Sequence, residues 1–128
     1  MLKLIFHLFN FLLIILYLYP GSILGFFLYK NITKQPQLTG DFLNISSNHI
    51  FAFFILSILC CLNLKNYKYC FFYLIFISII LEILHLYIPN RSFQYGDLIG
   101  NILGVFFGLF ALIFWYFIKK NFYKYKNQ

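Results

Sequence analysis

From Leu4 to about Tyr19 nearly every position is apolar, until Pro20-Gly21 interrupts the run ahead of a second apolar piece, Ser22 to Tyr29. A membrane-crossing helix takes roughly 17 to 25 mostly apolar residues. Three further runs of that kind follow: about Asn48 to Leu64, about Tyr69 to Ile88 closed by Pro89, and Gly96 or Asp97 to Ile118. The pattern predicts an all-α fold, a four-helix transmembrane bundle that occupies residues 1–128 as a single domain. Residues 20–29 fit two descriptions, the second half of a broken first span or an interfacial turn. Lys3 ahead of an apolar run also suits a cleaved signal peptide, but the run is long and no small-x-small cleavage site follows it, so a retained span is expected.

The connections are polar. Lys30 to Ser47 holds Pro36, Gly40 and Asp41, and Ser46, Ser47 or Asn48 is placed to cap the second span. Lys65-Asn66-Tyr67-Lys68 reads as a tight basic turn, and KKNFYKYKNQ as a basic tail after the last span.

Composition sharpens this picture. The chain is 62% hydrophobic and 10% charged, whereas soluble domains are about half apolar and a quarter charged. A soluble core is excluded. The net charge of +7 comes from lysines scattered among the apolar runs, with no basic stripe, so nucleic acid is not an expected partner. Charge instead orients the chain. With four spans, Lys3, Lys65, Lys68, Lys119, Lys120, Lys124 and Lys126 share one side, and Lys30, Lys34 and Arg91 the other. The excess on the first side places both termini in the cytoplasm of a multi-pass protein, with membrane lipids as the surrounding partner and the tail lysines beside anionic headgroups. Cys60, Cys61 and Cys70 lack paired metal spacing and sit in apolar surroundings, so they read as buried fillers. The eleven Tyr and nineteen Phe read as lipid-facing bulk and interfacial belt. Phosphate loops, nucleophile elbows, HExxH and paired CxxC are absent from the sequence.

Candidate chemistry is concentrated in EILHLYIPNRSFQYGDLIGN, Glu82 to Asn101, which holds two of the three acidic residues and the single arginine. Glu82 and His85 are three apart and share a helix face. Glu82 lies roughly 10 Å inward of Pro89 at 1.5 Å per residue, and a carboxylate at that depth needs a partner or a water-filled cavity. Arg91, His49 and His85 are its candidate partners. Asp97 and Asn101 share a face at the start of the last span, where Gly100, Gly104 and Gly108 form a small-residue stripe open to another helix. Together with His49 at the start of the second span, these groups converge on one outer pocket.

Three readings compete for it. In the first, the pocket binds or modifies a polar headgroup: Arg91 takes an anionic group, Glu82, His85 and Asn101 line the ligand, and His49, Glu82 and Asp97 are the candidate catalytic groups. In the second, the cluster only locks helix packing in a non-catalytic interaction or scaffold protein. In the third, His49, Glu82, His85 and Asp97 hold a metal; Glu-x-x-His with a distant His and Asp is common by chance, so neither a metal nor a cofactor is expected. Asp97 also suits a helix N-cap, Asn101 a helix-to-helix hydrogen bond, and His7 packing against a neighbour.

The ordered set of His49 in HIFAFFIL, then Glu82, Pro89, Arg91, Asp97, Asn101, Gly104 and Gly108, resembles the VanZ-like family of small bacterial integral membrane proteins. The resemblance covers about residues 46–108. It departs from the family pattern at Ile45 and Ser46, where relatives carry Asp-Lys, and at His85, where they carry Gln. It implies a protein of the bacterial cytoplasmic membrane and cell envelope; the ligand class expected of the pocket, an anionic lipid-linked envelope component, comes from its residues and not from the resemblance. No reaction and no link to antibiotic resistance is carried over with it.

Overall fold

The computed structural model, which describes residues 1–37 and 39–126, is all-helical. Its five helices are α1 (Leu2–Leu18), α2 (Ile23–Tyr29), α3 (Ser47–Leu64), α4 (Tyr67–Leu84) and α5 (Tyr95–Lys126). Three of them, α3, α4 and α5, are long and apolar enough to cross a membrane, and the pair α1 and α2 adds a fourth if the two are counted as one broken span.

α1 stops where the sequence says it must. Tyr19 precedes a proline and is extended, at φ −69° and ψ 131°. Gly21 then takes φ +122°, a conformation that side-chain-bearing residues rarely adopt. Ser22 restarts the helix by accepting from the Gly25 amide at 2.9 Å. The outcome is an 81° bend between α1 and α2, so the second apolar piece does not prolong the first in direction.

The cap of α3 corrects the expectation. Ser46 holds the N-cap position but makes no side-chain cap bond; the Ser47 amide donates instead to Asp41 Oδ1 at 3.0 Å. Ser47 Oγ and Asn48 Nδ2 donate to the carbonyls of Thr39 and Pro36, which folds the loop over the start of the helix. The basic turn is shorter than expected. Lys65 closes α3 in the left-handed conformation and Asn66 opens α4 by accepting from the Tyr69 amide, so Tyr67 and Lys68 are already helical. α4 ends at Leu84, before the expected Ile88, because the amides of His85, Leu86 and Tyr87 each bond three residues back in a tightened turn. α5 runs through the basic tail to Lys126, well past Ile118.

α3 is the hub, packed against α1, α4 and α5. Its contact with α5 follows the glycine stripe. A Cβ added at Gly104 would stand 2.4 Å from the Ile50 carbonyl oxygen, and one at Gly108 1.7 Å from Ser57 Oγ. The two backbones lie closer than any side chain on that face allows, the small-residue packing expected between helices that lipid cannot drive together. Phe53, Leu56, Cys60, Cys70, Leu74 and Val105 are fully buried, and the three cysteines are free thiols inside this core. The outward faces carry exposed Phe11, Phe72, Phe76, Phe110 and Trp115, an apolar exterior far larger than soluble monomers expose.

Candidate functional site

α1 and α4 end where α3 and α5 begin, and the polar side chains converge there. Glu82 lies in the last turn of α4 and is 0% exposed. The chain turns back after α4, so that the Gln94 amide donates to Glu82 Oε1 at 2.8 Å. His85, one turn on, faces the same oxygen through Nδ1 at 3.4 Å and donates from Nε2 to the Tyr17 carbonyl at 3.0 Å. A carbonyl only accepts, so Nε2 carries a hydrogen, and Nδ1 is the nitrogen turned toward Glu82. Glu82 Oε2 has no hydrogen-bond partner among the described residues.

Tyr17 ties α1 into the cluster. Its ring stacks on His85 with centroids 5.8 Å apart. Its hydroxyl donates to Asn101 Oδ1 at 2.6 Å and lies 2.7 Å from His49 Nδ1, which is itself 3.0 Å from Asn101 Oδ1. With the hydroxyl proton given to Asn101, His49 Nδ1 faces two oxygen acceptors and carries the ring hydrogen. The neutral imidazole then presents the lone pair of Nε2 on its far side. There it meets Asp97 Oδ2 at 3.6 Å, beyond hydrogen-bond length. Asp97 is the third residue of α5 rather than its N-cap, and its side chain is 17% exposed, the wettest of the group. One donor atom each from His49, Glu82 and Asp97 lies within 4.8 Å of the others.

Arg91 does not partner Glu82; among the described residues no hydrogen bond or ion pair joins them. Its guanidinium closes the open end of α1, donating from Nε to the Tyr19 carbonyl at 3.3 Å and from Nη2 to those of Leu16 at 3.1 Å and Gly21 at 2.6 Å. These are carbonyls that a helix C-terminus leaves without an internal donor. Burial pushes the Arg91 pKa down from its ordinary value while Asp97, Tyr17 and Glu82 push it up, and the group stays charged.

The cluster thus has two halves. Arg91, Tyr17, Asn101 and His85 fasten helix ends to one another through hydrogen bonds, with Asn101 Nδ2 left without a partner among the described residues. His49, Glu82 and Asp97 stand close together, and Glu82 Oε2 has no hydrogen-bond partner among the described residues. Of the residues singled out from sequence, His49, Glu82 and Asp97 converge, His85 touches Glu82 and Asn101 touches His49, and Arg91 stands at the end of α1. Tyr17 and the Gln94 amide were not legible beforehand. Tyr17 is one of eleven tyrosines, and nothing in its local sequence sets it apart from Tyr19 two residues on. A second polar contact of α1 with α4, between Asn10 Nδ2 and the Tyr73 hydroxyl, lies away from the cluster toward the other end of α1. No protein-family model, curated protein or solved structure matches the chain.

Proposed function

We propose that the chain is a VanZ-like multi-pass protein of the bacterial cytoplasmic membrane, a four-span bundle with both termini cytoplasmic, whose outward-facing cluster binds the headgroup of an anionic envelope component. The observation that carries this reading is Glu82 Oε2, a carboxylate oxygen withdrawn from water and given no donor by the described residues. Burying a polar atom without a partner costs about 1–3 kcal/mol or more. A hydroxyl or amine donor on the headgroup satisfies that oxygen, while the headgroup's anionic part lies toward Arg91. Asp97 and the half-buried Arg91 lie at the rim, where a headgroup arriving from the membrane surface meets them first.

The helix-clasp reading has its own support in the three carbonyl bonds of Arg91 and the Tyr17–Asn101–His49 network. Native mass spectrometry of the purified protein separates the two, with thermal stability recorded in parallel. Retention of an anionic lipid by wild type, lost in Asp97→Asn and Glu82→Gln at nearly unchanged stability, supports the site. A wild type that retains no anionic lipid, with variants that only unfold more readily, leaves the clasp.

A further inference from the structure

Spacing along the chain gives no reason to expect a metal, but the folded geometry does. We infer that His49, Glu82 and Asp97 form a binding site for a single divalent transition-metal cation of the zinc class. The inference goes beyond the headgroup reading and does not depend on it.

Three observations carry it. The first is donor chemistry. One imidazole and two carboxylates, with one donor atom of each inside a 4.8 Å circle, match three-ligand zinc sites that keep a fourth position open. Ligand atoms held about 2.0–2.2 Å from a tetrahedral ion stand roughly 3.4 Å apart, close to the 3.6 Å between His49 Nε2 and Asp97 Oδ2. Asp97, partly exposed on the first turn of α5, is the ligand placed to close the remaining gap.

The second is the unpartnered carboxylate oxygen of a fully buried Glu82. The described residues satisfy Oε1 with the Gln94 amide and His85 and leave Oε2 without a partner, and a cation held by the trio takes up a carboxylate lone pair.

The third is the far side of His49. Metal-bound histidines almost always donate their other N–H to a fixed oxygen, which sets the tautomer and aims the free nitrogen. His49 Nδ1 is held in that manner by the Tyr17 hydroxyl and Asn101 Oδ1. Tyr17 and Asn101 are positioning residues here, one step removed from the ion.

The same donors argue against other cations. Magnesium and calcium prefer all-oxygen shells, and soft copper(I) prefers thiolates; the cysteines, Cys60, Cys61 and Cys70, lie on α3 and α4 far along those helices from His49 and Glu82. The two carboxylates of the trio carry the negative charge that a divalent cation requires of its ligands.

The test is zinc binding to detergent-purified, chelator-stripped full-length protein, by calorimetry and by metal content after gel filtration. Wild type is expected to hold one zinc per chain. Asp97→Asn and Glu82→Gln, both close in shape to the native residues, should each weaken binding by on the order of tenfold or more, while Asp41→Asn, an acid outside the cluster, should not. If Glu82→Gln fails to fold, Asp97→Asn decides alone, because its side chain reaches solvent. Cobalt(II) as a probe should give visible absorption in wild type that is lost in Asp97→Asn. A folded wild type that takes up no zinc, or equal affinity across all variants, overturns the inference. Zinc binding without any retained lipid sustains it while removing the headgroup reading; lipid retention by stripped protein that takes no zinc does the reverse.

Discussion

Arg91 Nη2 donates to the Gly21 carbonyl at 2.6 Å, which joins the loop after α4 to the turn after α1. Two segments separated by most of the chain are fixed to each other by one side chain, and the bend at Pro20-Gly21 is held from outside as well as by its own residues. Arg91→Ala is expected to lower stability by roughly 1.5–3 kcal/mol, the range for hydrogen bonds to charged groups. Arg91→Lys should recover less than half of that, since a point charge cannot span the carbonyls of Leu16, Tyr19 and Gly21 as the planar fork does. Thermal unfolding in detergent measures both; full rescue by lysine would mean that charge alone matters.

Tyr17→Phe keeps the stacked ring and removes one hydroxyl. Asn101 Oδ1 loses its short donor and His49 Nδ1 an oxygen neighbour, so the change should cost about 1–3 kcal/mol. A double-mutant cycle with Asn101→Ala should show strong coupling between the two positions. Additive effects would mean that the network exists without holding the helices.

Gly108→Ala and Gly104→Ala should destabilise the protein, because the added carbon meets Ser57 Oγ or the Ile50 carbonyl well inside contact distance. Gly40→Ala is the control: a Cβ there meets nothing within 4 Å. Helix pairs in membranes tolerate such separation poorly. Equal melting temperatures across the three variants would show that α3 and α5 move apart freely.

Maleimide labelling tests topology. Cys60, Cys61 and Cys70 are buried, so the native chain should stay unlabelled until denatured. In intact cells an impermeant maleimide should reach Lys34→Cys, and should reach Lys65→Cys only after permeabilisation. The opposite order would place the termini outside.

Much of this architecture was legible in the sequence because the bilayer imposes a length and a polarity on every span. The Pro20-Gly21 break and the glycine stripe announced themselves through residue types with few alternative uses. Other features depended on neighbours that no local pattern encodes. Asp41 displaced Ser46 as the cap of α3 because the loop folds back over Ser47. The tail continued as helix because Lys119 to Lys126 contains neither Gly nor Pro to stop it. Glu82 had several candidate partners in sequence; His85 and the Gln94 amide were chosen by the turn after Leu84, and Arg91 went to the end of α1. Gathering His49, Glu82 and Asp97 required only that helix starts and helix ends share a level, whereas Tyr17 required the rotation of α1 about its axis, which its nearly uniform apolar surface conceals.

Only Lys65 and Asn66 separate α3 from α4. α3 and α4 form a hairpin that is complete in the chain before α5 begins. At that stage Glu82 lacks the Gln94 amide and its neighbour Asp97, which follow later in the sequence. The cluster closes only when α5 packs against α3.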